Sequence, residues 1–349
     1  MRWDDRLISA HELAPYVKRD GGPPFGALAA ALVEHQKEHW LMMREGYDAF
    51  AQIEAKRFDG EGWHVIVQHN PRRINSTSAR VDADSVQARP CFLCSENLPD
   101  DEEGIPYGEE LVILCNPFPV LDRHLSIVHR EHVEQKIEGN VEQLLRLAMD
   151  LGPEYFVLYN GPRCGASAPD HLHFQACSRA LLPIEEDMLA DQPDAAAHCD
   201  ACDDAARGEF ELFTLSTCGR TPVVFRGGVG SQIAEWIYRT IAELRGDPDA
   251  DEPMINIICT HDRRGWTVFL FPRARHRPAC FFEEGDDRLI VSPGAIDMAG
   301  VVVVPEARHF ARIGAAEIEA IFSEVSLPGE SVNDLVERGC DIANMEGVY

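Results

Sequence analysis

The stretch from Tyr155 to Gln175 constrains this chain more than any other. Tyr155-Phe156-Val157-Leu158-Tyr159 is apolar and rich in aromatic and β-branched residues, which reads as a buried strand. The Gly, Pro, Ser and Asp residues between Asn160 and Asp170 are the chemistry of a loop. His171-Leu172-His173-Phe174-Gln175 then alternates polar with apolar. Successive side chains of a strand point to opposite faces, so His171, His173 and Gln175 share one face and Leu172 and Phe174 anchor it from behind. Gly165 and Ser167 in the loop bring backbone and hydroxyl donors suited to a phosphate. The plain alternative is a strand that carries two surface histidines.

Bulk properties narrow the class. A chain of 349 residues can hold one large or two ordinary domains. No apolar run reaches membrane-spanning length, and the N-terminus lacks the apolar segment of a secretion signal, so the expected location is cytoplasmic. Eleven scattered cysteines, an odd number, argue against a disulfide framework. The formal charge of −27 makes a nucleic acid polymer a poor partner, but a small phosphorylated ligand needs only a local cationic pocket.

Residues 1–58 read as a helical extension, with Phe25 to Tyr47 at helical spacing after the breaker Gly21-Gly22-Pro23-Pro24. His35 and His39 lie four apart on it, as a partly exposed face or a metal pair. Trp63 to His69 is a strand signal. The next residues, Asn70 to Arg80, gather Arg72, Arg73 and Arg80 with amide and hydroxyl side chains, either a solvated turn or a phosphate contact. Arg89-Pro90-Cys91-Phe92-Leu93-Cys94 is a zinc knuckle, a redox pair or a coincidence. A redox pair should open a helix, whereas Ser95 to Pro99 reads as a turn. His124, His129 and His132 surround a further strand near Leu125 to Val128, and Asn140 to Leu151 reads as a helix capped by Asn140. Residues 187–208 are rich in Asp and Ala and read as an acidic linker or insert; the Cys199/Cys202 pair within it has His198 beside it but no equally convincing fourth ligand, although Cys218 could serve. From 209 onward strand and helix signals resume, including a hairpin about His261 to Gly265 and the strand Val301 to Val304. Alternating helices and hairpin-like pairs indicate an α+β layer fold.

The loop followed by His-x-His-x-Gln resembles the active-site signature of the galactose-1-phosphate uridylyltransferase-like branch of the histidine-triad superfamily, near diadenosine tetraphosphate phosphorylase and the GDP-hexose phosphorylases. The resemblance implies two pseudo-duplicated half-domains, antiparallel sheets with flanking helices, at 59–186 and 209–349, only the first keeping the signature. It implies that His173 is the nucleophile that forms a covalent nucleotidyl-histidine, with Gln175 holding phosphate oxygens where hydrolytic relatives carry a third histidine. Arg72, Arg73, Asn160, Arg163, Gly165 and Ser167 would bind substrate. Cys91, Cys94, His132 and His171 would hold a structural zinc, with His129 the fallback for His132. No His-x-His matches the second-half metal that several of these enzymes bind. The expected ligands are a nucleotide sugar or dinucleoside polyphosphate together with phosphate, and a homodimer is a candidate assembly. A histidine-triad hydrolase of nucleotide conjugates and a non-catalytic, zinc-stabilised nucleotide-binding protein are the alternatives.

Overall fold

The near-continuous apolar strands of this chain are explained by a sheet covered on both faces. In the computed structural model, which describes residues 3–18, 24–179, 182–190, 210–246 and 251–346, twelve strands form. They are β1 (Glu54–Gly60), β2 (Trp63–His69), β3 (Ile105–Tyr107), β4 (Leu111–Cys115), β5 (Leu125–His129), β6 (Tyr155–Asn160), β7 (His173–Ser178), β8 (Phe210–Thr214), β9 (Val223–Gly227), β10 (Ile255–Asp262), β11 (Gly265–Pro272) and β12 (Val301–Val304). Nine of them make one sheet in the order β3-β4-β5-β7-β6-β10-β11-β9-β8, with every neighbouring pair antiparallel.

Strand β6 shows the layering. Tyr155, Val157 and Tyr159 enter the core formed with the helices Pro24–His39, Val141–Leu151 and Gly230–Arg245. Phe156 and Leu158 enter a second core with β2, β12 and the helix Ala315–Val325. The alternation of a strand thus feeds two apolar layers, so no polar residue interrupts it until Asn160.

The quartets β4-β5-β7-β6 and β8-β9-β11-β10 have the same spatial order, each read from an outer position toward the centre. Each also places a helix between its second and third strands in sequence, Val141–Leu151 in one and Gly230–Arg245 in the other. They meet where β6 pairs with β10.

Three expectations change in detail. The N-terminal helices end at Phe50, and Glu54–Gly60 is instead a strand paired with β2. That strand is mostly exposed and polar, so it carries no apolar alternation to read. The small sheet β1-β2-β12 is mixed rather than antiparallel: β12, from the second half, runs parallel to β2 of the first. Asn140 occupies the helix N-cap position, but its side chain donates to the carbonyls of Lys136 and Glu138 and does not cap. Among the described residues eight cysteines are free thiols and Cys340 is disulfide-bonded. No helix among them is long and apolar enough to cross a membrane.

The segment expected as an acidic insert begins inside the helix Pro183–Ala190; residues 191–208, with Cys199 and Cys202, lie outside the described residues. Asp187, on that helix, is buried. Its carboxylate accepts from the His64 backbone N–H at 3.0 Å and the Thr217 hydroxyl at 3.0 Å, and lies 3.4 Å from the buried Arg220 guanidinium. Replacing Asp187 with Ala should destabilise the fold by roughly 3–5 kcal/mol, because Arg220 would keep a buried charge without its partner. Urea denaturation of the variant against the parent chain checks this, and a loss under 1 kcal/mol would contradict it.

Candidate active site

A cavity of about 530 Å³ opens over the β4-β5-β7 face, and both halves of the chain line it. Of the residues singled out from sequence, Arg73, Asn160, Gly165, Ser167, His173 and Gln175 reach it. Arg72 and Arg163 do not line it: Arg72 is 3.9 Å from Glu45 at the surface, and Arg163 donates to the backbone carbonyl of Glu252. The second half contributes His276, Arg277 and Ser292.

His173 is buried, and its Nδ1 lies 2.8 Å from the carbonyl oxygen of His171. A carbonyl can only accept, so Nδ1 carries the proton and Nε2 holds the ring's lone pair. Burial, the largest influence, lowers the pKa of this imidazole to about 4, so the ring is neutral at physiological pH. Its backbone is fixed from the side by Gln135, whose Oε1 accepts from the His173 N–H at 2.8 Å.

Gln175 is oriented by His124, one of the three histidines around β5. His124 is fully buried, its Nδ1 accepts from the Val120 N–H, and its Nε2 lies 2.7 Å from Gln175 Oε1. Because Nδ1 accepts, Nε2 carries the proton and donates, so the Gln175 oxygen is occupied and its amide NH₂ is left for the cavity. Burial, reinforced by Arg73, lowers the His124 pKa to about 3, which holds the ring in this neutral form.

The loop after β6 is held against the second half. Asn160 Oδ1 accepts from the side chain of Asn256 at 2.8 Å and from the Ala295 N–H at 2.8 Å. Gly165 has a φ of +100°, and a Cβ there would sit 2.7 Å from Asn160 Oδ1 and 3.0 Å from the Gly294 Cα, so only glycine fits. Arg89 donates to the Ser167 carbonyl at 2.6 Å. Arg277 donates to the carbonyls of Thr77 and Ala79, which ties the polar segment Asn75-Ser76-Thr77 to the cavity rim. Arg73 is half-buried and donates to the Phe118 carbonyl at 3.1 Å.

Beside this cavity, Cys91, Cys94, His132 and His171 bring one ligand atom each within 4.8 Å of one another and can hold a metal ion. Nδ1 of His171 lies 3.3 Å from Cys91 Sγ and 3.6 Å from Cys94 Sγ, and Nδ1 of His132 lies 3.2 Å from Cys94 Sγ. Metal–ligand bonds of about 2.0–2.3 Å in a tetrahedron separate ligands by about 3.3–3.8 Å, so the cluster is near that size. Nε2 of His171 donates to the His129 carbonyl at 2.8 Å, and Nε2 of His132 faces Asp170 at 3.4 Å, which aims both Nδ1 lone pairs inward. His129 itself turns to the backbone of Glu131 and is outside the cluster. His35 and His39 stack on each other, and His35 contacts Glu103 at 2.8 Å.

His124→Leu should cost about 2 kcal/mol of stability, since it leaves the Val120 N–H and the Gln175 oxygen without their buried partner. Thermal and urea unfolding read this, and an unchanged midpoint would remove His124 from its orienting role.

The family model described as a domain of unknown function (DUF4922) matches residues 32–178. No curated protein matches the chain. Among solved structures, yeast Ap4A phosphorylase Apa2 in complex with AMP superposes with a TM-score of 0.53 at 15% identity, covering 82% of this chain and 97% of that one. The same phosphorylase in complex with Ap4A gives a TM-score of 0.51 at 14% identity, covering 82% and 96%. At such identity the likeness speaks for architecture, and the chain has the fold of yeast Ap4A phosphorylase.

Proposed function

We propose that this chain is a nucleotidyltransferase of the phosphorylase type. It moves a nucleoside monophosphate from a nucleotide sugar or dinucleoside polyphosphate to phosphate or a sugar phosphate, through a covalent nucleotidyl-histidine on His173. The observation that carries this reading is the His173 ring: its Nδ1–H is pinned to the His171 carbonyl, and its lone-pair nitrogen belongs to a side chain that lines the cavity.

In the first step the Nε2 lone pair attacks the α-phosphorus. A P–N bond forms, the bond from that phosphorus to the bridging oxygen breaks, and the leaving phosphate takes the electron pair. The Nδ1–H remains on the His171 carbonyl, which eases the positive charge that the ring acquires. In the second step a phosphate oxygen of the acceptor attacks the same phosphorus, the P–N bond breaks, and the neutral imidazole is restored. The Gln175 NH₂, Gly165, Ser167 and Arg73 supply donors and charge for the phosphates, and Asn160 holds the loop in place. Gln175 has no proton to give near neutral pH, which favours an intermediate that waits for a phosphorylated acceptor over one discharged by water. Arg72 and Arg163 have no part in this reading. That the yeast phosphorylase of this fold is seen with AMP and with Ap4A supports the ligand class.

Two structural proposals accompany the chemistry. The half-domains 59–186 and 209–349 are duplicates; the matching strand orders β4-β5-β7-β6 and β8-β9-β11-β10 support this. The ion held by Cys91, Cys94, His132 and His171 is zinc, because two thiolates and two imidazoles at tetrahedral separation suit it. Bound there, it would stiffen the approach to β7.

Incubation with α-³²P-labelled nucleotide sugars and dinucleoside polyphosphates, without acceptor, should leave acid-labile label on the protein. The label should be released as nucleotide on adding phosphate, and His173→Ala should take up none. Labelling of the variant at the parent level would overturn the proposal. Elemental analysis should find one zinc per chain, lost together with about 10 °C or more of thermal stability in a Cys91→Ser/Cys94→Ser chain; a structural zinc contributes folding energy outright. Full stability without metal would reject the zinc assignment.

A further inference from the structure

One buried carboxyl in the cavity wall takes no part in the transfer chemistry. Glu102 is 7% exposed and lines the cavity, yet no hydrogen bond or ion pair reaches its side chain among the described residues. It belongs to the run Asp100-Asp101-Glu102-Glu103, in which Asp100 and Asp101 are exposed and Glu103 turns to His35 at 2.8 Å. Of the four, Glu102 alone lines the cavity.

Two clamps hold the loop in that position. Arg6 donates to the carbonyls of Leu98, Pro99 and Asp100 at 3.0, 2.7 and 2.8 Å. Gln36 accepts from the Glu103 N–H at 3.1 Å and donates to the Asp101 carbonyl at 3.3 Å. The Glu102 N–H itself donates to the Pro99 carbonyl at 3.1 Å. The Arg6 guanidinium is thereby committed to backbone oxygens, and it tempers the Glu102 charge only through its field. Cys115 on β4 also feels that charge, and a thiol offers it no cation.

A carboxylate buried this far without a donor is costly, and such a group takes up a proton instead. Burial, opposed only by Arg6, accordingly pushes the Glu102 carboxyl up to about 8. The two forms are chemically different. A neutral carboxylic acid sets an O–H donor beside a carbonyl acceptor, whereas the carboxylate can only accept.

We propose that Glu102 grips the ligand as a neutral acid, its O–H and C=O pairing with a ligand edge that sets a lone pair beside an N–H. In the nucleotidyl-transfer reading, on which this rests, the edge belongs to the nucleobase. Every common base has a donor beside an acceptor on its pairing edge, so Glu102 holds the base without choosing among them. Ionised, Glu102 would turn an acceptor toward the lone pair of that edge and add negative charge to a cavity that takes phosphates. Affinity is therefore full while Glu102 is protonated and is lost as the pH rises through its titration. Of the other groups that line the cavity, His124, His173 and His276 titrate lower, at about 3, 4 and 4, and Asp297 at about 6. Cys115 is held far above the usual thiol range. Mildly alkaline pH thus isolates Glu102.

The test is isothermal titration of the full chain with AMP, whose base does not titrate between about pH 7 and about pH 9. Parent affinity should fall about tenfold across that range. Glu102→Gln keeps a donor and an acceptor in place of the neutral acid. It should bind AMP within about threefold of the parent at the lower pH and show no such fall. Glu102→Leu removes the charge and both hydrogen-bonding groups, and should bind at least tenfold more weakly than Glu102→Gln at either pH. Thermal melts establish that both variants are folded. Parent affinity that ignores pH, a Gln variant that titrates like the parent, or a Leu variant that binds as tightly as Gln would overturn the proposal. The last result would mean that Glu102 acts by repelling phosphates and touches no ligand edge. Absence of AMP binding to the parent would overturn it too, and labelling of His173 decides separately whether the transfer reading falls with it.

Discussion

The pairing of β6 with β10 is the contact on which the rest of the molecule depends. It joins two quartets of strands, with β3 added at one edge, into one nine-stranded sheet. Asn160 and Asn256 stand directly opposite each other at its end, both buried. The Asn256 NH₂ is shared between Asn160 Oδ1 and the Cys164 carbonyl, each at 2.8 Å. Its oxygen accepts from the buried guanidinium of Arg273, which also reaches the Pro293 carbonyl at 3.0 Å. Every member of this network has a partner, which is the condition under which buried polar groups specify a structure rather than weaken it. Its product is a loop, Gly161 to Asp170, whose course is dictated by the second half of the chain although its residues come from the first.

The same economy of backbone acceptors separates the two histidines of the motif. His171 gives its Nε2–H to the His129 carbonyl, so its Nδ1 faces the cysteines. His173 gives its Nδ1–H to the His171 carbonyl, so its Nε2 is the free nitrogen. Two residues apart, the rings present opposite nitrogens because different carbonyls claim their protons. The tautomer of each follows from geometry alone, and the pKa lowering of His173 by burial agrees with it.

Much of this was legible in the amino-acid order where local pattern and burial coincide. The strands Trp63–His69 and Tyr155–Asn160 and the hairpin β10-β11 match their apolar runs, because covered sheet leaves a continuous hydrophobic record. The clustering of Cys91, Cys94, His132 and His171 was foreseen by family resemblance, since nothing local links residues 80 apart. Arg72 and Arg163 show the limit of reading charge: an arginine beside a phosphate-like loop satisfies itself equally well on Glu45 or the Glu252 carbonyl. His124 and Glu102 left no signal. One sits among three histidines around a strand, and the other in a run of four acids that reads as a solvated turn. What distinguishes each is burial, which depends on contacts remote in sequence, namely Gln175 for His124 and the Arg6 and Gln36 clamps for the Glu102 loop.

Those clamps change the standing of the N-terminal segment. The helices before β1 could be regarded as a covering layer. Yet Trp40 and Met42 line the cavity, and Arg6 and Gln36 hold the loop that carries Glu102. The transfer side of the cavity is built by β5, β7 and the loop after β6, elements that the β6–β10 seam secures. Its far wall is built by a segment that packs on the sheet from outside. A change in that segment can therefore reshape one end of the cavity without disturbing the His173 strand, because the two ends are supported by different backbone contacts.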